Sequence, residues 1–465
     1  MSAPQPEYIP PEFIPISELL ARGRTEDFPV CVVGERKVAW REFALSIGGI
    51  AQALARRPEP RWLIHCEHPL HFATALLAVL HTGRRAVVAP GLQPAMTREL
   101  RPAYDAILGD GAQPMLDVRS TAPAPFPFGV LEPRAARLDL YTSGSSGEPK
   151  RVEKSVGQLQ TEAQGLEAKW GIALGAATMV ATVPHHHIYG LLFRLIWPLA
   201  AGRRFDAALC SEPDALMEAL RRNGDVALVS SPAHLARLPD LIRLESLKPA
   251  TRRIFSSGGP VPAAAAAEYK RGLGAAPTEI YGSTESGGIA WREQDGSEES
   301  AAWRTFSGIE VRIDPDGALC VRSPYLPDEG WLTMGDAAEL LSEGRFVLKG
   351  RLDRVVKVEG KRISLPEMEE VLRQHPWVSE AAVVPLAGSK ETLGAVVILR
   401  PSGNDNDERE PLVAALREYL LNRFERVLVP RQWRFVARMP SDERGKLSAA
   451  ALRTLFLNAE DVRAS

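Results

Sequence analysis

Tyr141-Thr142-Ser143-Gly144-Ser145-Ser146-Gly147-Glu148-Pro149-Lys150 follows directly on the short apolar segment 136–140, and its reading decides the fold. Glycines let the backbone turn so that successive N–H groups converge on an anion. The hydroxyls of Thr142, Ser143, Ser145 and Ser146 add donors, and Lys150 adds a compact positive charge. Together they suit a polyphosphate. The stretch is not a Walker A loop, because the GxxxxGK[ST] spacing does not fit. A flexible Ser/Gly linker is the bland alternative. Linkers seldom pack hydroxyls this densely and then close with Pro-Lys just after a strand.

Outward from this loop the pattern alternates strand and helix. Residues 28–34, 61–67, 84–90, 177–184, 225–231 and 252–259 read as short buried strands. Residues 40–54 and 72–83 carry apolar residues at helical spacing. Such alternation predicts an α/β architecture with mainly parallel sheets. Residues 110–135, rich in proline and alanine, read as a connection.

From about residue 300 the character changes. Residues 308–324 predict a β-hairpin with Asp316-Gly317 in its turn. Alternating strand signal continues over 345–363. A helix (364–375), strands (378–386 and 393–400), an acidic polar loop (402–410), a helix (411–427) and a strand (432–438) follow. The expectation is a large N-terminal α/β domain, 1–350, and a small mobile α+β C-terminal domain, 351–465.

Composition bounds the function. The 465 residues include 45% hydrophobic and 25% charged, ordinary globular material that rules out wholesale disorder. A formal net charge of -2 gives no bulk signal for nucleic acid or an anionic membrane surface, although totals hide clusters. Cys31, Cys66, Cys210 and Cys320 lack CxxC spacing, which fits a reducing compartment rather than a zinc knuckle. The N-terminal segment has prolines and glutamates where a signal peptide needs a basic start and an apolar run. Apolar stretches elsewhere are too short to span a bilayer. A soluble, cytoplasmic enzyme is the expectation.

With its loop in this setting the chain resembles the adenylate-forming superfamily: acyl-CoA synthetases, aryl-CoA ligases, luciferases and the adenylation domains of peptide synthetases. Their signature loop reads roughly YTSGTTGxPKG. The resemblance implies that Thr142, Ser143, Gly144, Ser145, Ser146, Gly147 and Lys150 hold the phosphates of ATP. Arg151 stands where the family has glycine, an added cation near those phosphates. Further segments fall in the family's order. Ser257-Gly258-Gly259-Pro260 is a turn that would lie against adenine, missing side chains allowing close approach. Tyr281-Gly282-Ser283-Thr284-Glu285 is similar to YGxTE. This implies an aromatic on adenine, a threonine hydroxyl at the α-phosphate and a carboxylate, Glu285, on Mg²⁺. Glu279 occupies a position where some relatives carry an asparagine near the adenine amine.

Gly335-Asp336 resembles the family's TGD, with Met334 replacing threonine, and implies that Asp336 accepts both ribose hydroxyls. Gly350-Arg351-Leu352-Asp353 with Lys357, Gly360, Arg362 and Ile363 resembles GRxDxxxKxxGxRI. Arg351 would then reach ribose or phosphate, and Asp353 would be the hinge. Lys357 and Lys361 read as solvated charges. Near the C-terminus, Pro440 to Gly445-Lys446 keeps the family's spacing, which makes Lys446 the mobile catalytic lysine.

Pro184-His185-His186-His187-Ile188-Tyr189-Gly190 invites a metal reading, but an extended segment puts His185 and His187 on one face and His186 on the other. The resemblance supplies P-x-x-H-x-x-G, which lands on His187, placed to gate or polarise a carboxylate. Amino-acid adenylation domains tend to carry an aspartate here, and this segment has none. Pocket walls are expected from His187, Ser230-Ser231-Pro232, Ser257, Gly258 and Gly282 to Ser286. The implied reaction activates an aromatic or fatty acid with ATP to an acyl-adenylate and pyrophosphate. The acyl group then passes to a pantetheine thiol, of coenzyme A or of a carrier protein. An amino-acid adenylation module, a luciferase-like side activity and a non-catalytic nucleotide-binding relative are the alternatives.

Overall fold

The computed structural model describes residues 11–89, 91, 94–111, 114–143, 149–295, 297, 299–358, 361–386, 392–400, 409–440 and 449–456. By internal contact the chain divides into two units, Met1–Glu310 with Val321–Leu332 and Val311–Cys320 with Thr333–Ser465.

The first unit is built on two sheets. In one, the strand order is Leu116–Asp117, Ala106–Gly109, Arg61–His65, Arg85–Val88, Arg137–Ser143, Pro149–Ser155. Its strands pair in parallel until the last, which returns antiparallel with Thr142 opposite Lys150 and Ser143 opposite Pro149. The other sheet has nine strands. Across it run Arg304–Thr305, Gly287–Arg292, Thr278–Ser283, Thr251–Ser257, Val226–Ser230, Thr178–Ala181, Phe205–Leu209, Pro29–Val33 and Arg36–Ala39. From Thr278–Ser283 to Pro29–Val33 every pairing is parallel; antiparallel strands close both edges. Thr178–Ala181 and Val226–Ser230 are buried along their whole length, as the interior of a parallel sheet requires.

Helix Val156–Leu174 leads away from the phosphate-loop hairpin. Ser155 Oγ accepts from the Gln158 N–H while the Gln158 side chain accepts from the Ser155 N–H, a reciprocal cap that fixes where the helix starts. Gly175, with φ +54°, ends it. Downstream of Gly190, residues Leu191–Ile196 form a π-helical turn. Arg194 is buried within it, donating to the carbonyls of Asp206, Ala207 and Ala208.

In the second unit, strands Leu332–Leu340 and Phe346–Arg351 form an antiparallel pair, with Asp336 opposite Arg351. Val378–Leu386, Thr392–Leu399 and Gln432–Phe435 form a three-stranded sheet. Helix Leu365–Arg373 packs Met368, Val371 and Leu372 onto Ala381, Val383, Ala395 and Val397. The hairpin expected at Asp316-Gly317 is present: Gly317 takes φ +85° and Asp314 Oδ1 accepts from the Ala318 N–H. The helix expected over 411–427 runs instead over Arg409–Leu421. Beyond it, Leu420 O accepts from both Arg423 and Phe424 N–H groups, tightening the last turn so that Phe424, Leu428 and Val429 enter the core from irregular backbone. The acidic loop expected over 402–410 lies outside the described residues except for its last two. All four cysteines are buried thiols. Among the described residues no helix is long and apolar enough to cross a membrane.

Candidate functional site

Strands Thr178–Ala181, Val226–Ser230, Thr251–Ser257 and Thr278–Ser283 are neighbours and parallel, so their carboxyl ends share one edge of the sheet. The residues that follow those ends are the ones the sequence singled out: His187, Ser231, Gly258-Gly259 and Thr284-Glu285. Ligands of open parallel sheets bind at such an edge.

Gly258 takes φ +92°, which a side chain would strain, and a Cβ there would meet nothing within 4 Å. The Gly258-Gly259-Pro260 backbone is exposed, an open face on which a flat ring can lie. Glu279 holds this turn from beneath. It is 1% exposed, accepts from the Val261 N–H at 2.9 Å and is ion-paired to Arg292 at 3.0 Å. The adenine contact expected of Glu279 is therefore corrected: its carboxylate is buried and engaged as a brace for the glycine turn.

Tyr281 stacks at a tilt on Trp303, with ring centroids 5.4 Å apart. Gly282 is a glycine for a different reason from the one expected. A Cβ there would sit 2.0 Å from Gly287 O, so its open side is filled by the neighbouring strand and not by a ligand. Ser283 and Ser286 lock the intervening turn, Ser286 Oγ accepting from the Ser283 N–H at 2.9 Å and Ser283 Oγ from the Ser286 N–H at 3.1 Å. Thr284 and Glu285 stand at its head, half-buried.

The second sheet meets this turn through a lysine. Lys150 Nζ lies 2.5 Å from Glu285 Oε1. Burial alone would raise the Glu285 carboxyl; the Lys150 ammonium overcomes that and holds it below the ordinary glutamate value. Glu285 is thus an ionised hard oxygen donor, suited to Mg²⁺ shared with phosphate oxygens. Thr142 Oγ1 donates to Lys150 O at 3.4 Å across the base of the loop. Ser143 lies in the strand. Gly144, Ser145, Ser146 and Gly147 fall outside the described residues.

Strand alternation sends Arg151 the other way. It pairs with Asp139 and Glu153, each at 3.0 Å, on the face opposite Lys150. The cation expected from it near the phosphates is corrected accordingly. The residue that does share the face of Lys150 is one the sequence reading missed. Lys154, 2% exposed, donates from Nζ to Glu285 O at 2.6 Å and Tyr325 O at 3.1 Å. Burial pulls its pKa down, while Glu162 and Glu285 push it up. Glu162, 4% exposed, accepts from the Gly288 N–H at 2.6 Å, and burial pushes its carboxyl up to about 7 against the pull of that N–H and of Lys154. The i, i+4 spacing of Lys150 and Lys154 on one strand face, around buried Val152, was the available signal.

In the histidine segment, His185 is a packed residue. It is 2% exposed, its Nε2 lies 3.0 Å from Cys66 O, and its ring packs on Phe72 at 4.7 Å. Burial holds its pKa down to about 3, so the ring is neutral. His187 immediately precedes the short helix Ile188–Gly190, half-buried, its ring 4.8 Å from His186. Gly190 closes the segment, since a Cβ there would lie 1.9 Å from Pro184 O. Among the described residues no group of three His, Cys, Asp or Glu side chains is placed to hold a metal ion. Ser231 accepts from the His234 N–H, capping helix Pro232–Leu241, and Ser257 donates to Ile280 O. Both hydroxyls are engaged within the fold.

The remaining expected residues belong to the second unit. Asp336 and Arg351 face each other across the hairpin, Nη1 to Oδ2 3.7 Å. A Cβ at Gly335 would meet the Arg351 guanidinium at 2.7 Å, so glycine leaves the arginine room to cross. Asp353 sits in a 3₁₀ turn, Leu352–Arg354. Lys446 lies outside the described residues.

Comparison with known proteins bears on both units. The profile of the family "AMP-binding enzyme" matches residues 116–333, and that of "AMP-binding enzyme C-terminal domain" matches 367–446. A sulfoacetate–CoA ligase of Cupriavidus necator is 28% identical over 370 residues, 73% of this chain and 70% of that protein. A 4-coumarate–CoA ligase of Rhodobacter capsulatus is 29% identical over 326 residues, 69% and 77% of the two chains. The structure of O-succinylbenzoate coenzyme A synthetase from Bacillus subtilis with AMP superposes with a TM-score of 0.79 at 21% identity, covering 95% of this chain and 98% of that one.

Proposed function

The chain belongs to the adenylate-forming superfamily of AMP-binding enzymes, and from that membership we propose that it joins a carboxylic acid to a pantetheine thiol with ATP as the activating substrate. In the first step a carboxylate oxygen attacks the α-phosphorus, the bond to the bridging oxygen breaks, and pyrophosphate leaves. In the second the thiol sulfur attacks the acyl carbon of the adenylate, AMP departs, and the thiol proton goes to solvent.

The observation that carries this reading is the Lys150–Glu285 pair, which ties the phosphate-loop strand to the end of the strand bearing Thr284. Bringing a carboxylate to a polyanion is opposed by charge, and fixed positive groups that meet charge as it develops lower that barrier. Lys150 is such a group. Glu285 would hold Mg²⁺, which when bound neutralises part of the triphosphate charge. Gly258-Gly259 and Tyr281 would receive adenine, Thr284 the α-phosphate, Asp336 the ribose and Arg351 ribose or phosphate. His187 would stand at the mouth of an acid pocket for an aromatic or fatty chain. Lys446 is assigned as the mobile lysine of the first step and Asp353 as the hinge that exchanges it for the thiol. The acceptor is coenzyme A or a carrier protein's phosphopantetheine.

ATP–pyrophosphate exchange driven by a panel of aromatic, fatty and amino acids tests this, followed by mass detection of the thioester with coenzyme A and with holo carrier protein. Exchange with a non-amino acid supports the proposal. Exchange with amino acids alone, or with none, overturns it.

A further inference from the structure

Burying a lysine and a glutamate is costly, and a well-packed apolar pair of similar volume would often stabilise the fold as well or better. Lys154 and Glu162 are nonetheless both buried under the turn that carries Thr284 and Glu285. Each grips that turn by its backbone and not by a side chain. Lys154 Nζ takes Glu285 O at 2.6 Å, and Glu162 Oε1 takes the Gly288 N–H at 2.6 Å. Lys154 also takes Tyr325 O, which Gln158 Nε2 donates to at 3.0 Å, so the ammonium is anchored on its far side. Between the two grips Gly287 adopts φ +69°, and a Cβ there would come within 2.6 Å of Glu162 Oε2 and 3.1 Å of the Tyr325 ring. The turn has no room to shift toward the pair.

Lys150 and Lys154 lie four residues apart on the same face of one strand. The first meets the carboxylate of Glu285, the second its carbonyl. Both ends of residue 285 are therefore registered against the strand whose other end is the phosphate loop. We propose that Lys154 and Glu162 are positioning residues, a buried pair that sets Thr284 and Glu285 at a fixed place relative to the phosphate loop and so governs Mg·ATP handling rather than acid recognition. This rests on the nucleotide-activating reading given above.

The test separates positioning from stability. Lys154→Met and Glu162→Gln each leave one partner's charge or bonds uncompensated, and each should lower the urea midpoint. The double variant buries no charge, and its midpoint should return toward wild type. If the pair positions the turn, the double variant still exchanges hydrogen faster over residues 283–288. It binds Mg·ATP about 10-fold more weakly by calorimetry without acid, an effect of the size a lost charge-assisted bond produces. Its kcat in pyrophosphate exchange falls while KM for the acid holds. Lys154→Arg, which keeps the donors, recovers part of both losses. A double variant with wild-type Mg·ATP affinity and wild-type exchange over 283–288 overturns the proposal. Should the wild type activate no acid, the binding and hydrogen-exchange readouts still decide it, so failure of the enzymatic reading is distinguishable.

Discussion

Gly282→Ala is a small change with a calculable consequence. The added Cβ would sit 2.0 Å from Gly287 O, 2.8 Å from Gly287 C and 2.9 Å from the Gly288 Cα. These are backbone atoms of the partner strand, so no side chain can rotate away. The strands Thr278–Ser283 and Gly287–Arg292 must part by roughly 1 Å at this point to restore ordinary contact. Overpacking of this kind costs about 1–3 kcal/mol of stability. The displacement falls at the root of the Thr284-Glu285 turn, and misplacing a reacting group by about 1 Å can cost about 100-fold in rate. That corresponds to about 2.7 kcal/mol of transition-state stabilisation. Urea unfolding gives the first quantity and kcat/KM in ATP–pyrophosphate exchange gives the second. An alanine variant within twofold of wild type in rate, at unchanged midpoint, would show that these strands do not set the site.

Three other outcomes are expected. Lys446→Ala should abolish adenylation yet spare thioester formation from supplied acyl-adenylate; equal loss in both halves removes the two-state assignment. Asp206→Ala should cost about 3–5 kcal/mol in chemical unfolding, because Arg222 and Asn223 are left around a fully buried gap where the carboxylate took four bonds. The Asp110 carboxyl would be raised by burial, but the His71 ring at 2.8 Å and the Glu67 and His68 N–H groups bring it down to about 2. A depressed carboxyl stabilises the fold above its unfolded value of 3.8 and loses that contribution as pH falls through 2. Wild type should therefore exceed Asp110→Asn by about 2 kcal/mol at pH 6 and converge with it by pH 2. A pH-independent difference would assign the effect to packing.

Much of the site was legible because it is local in sequence. The hydroxyl-glycine loop, Tyr281–Glu285 and Gly335-Asp336 are runs whose residue types announce their chemistry, and the strand–helix alternation places them at strand ends. What was missed depends on which way a side chain points. Arg151 and Lys150 are adjacent and look alike as charges, yet a period of two sends them to opposite faces of the sheet. Lys154 reads as a solvated charge by residue type; only the three-dimensional approach of Glu285 and Tyr325 reveals why it is buried. Glu279 was matched to a nucleotide contact by position, whereas Arg292, thirteen residues on, claims it across the hairpin. Gly282 was correctly marked as a close approach, but its neighbour is the protein's own strand. The end of the helix at Leu421 was hidden because no glycine or proline marks it; burial of Phe424 and Val429 does.

ATP–pyrophosphate exchange of the wild type and Glu285→Gln against the acid panel, with Mg·ATP binding measured alongside, bears most directly on acid adenylation at this sheet edge. At least one aromatic or fatty acid should drive exchange in the wild type, falling by about 100-fold or more when the charge at residue 285 is removed. If Mg·ATP binds but no acid drives exchange, or if Glu285→Gln exchanges like wild type, the site does not perform this reaction.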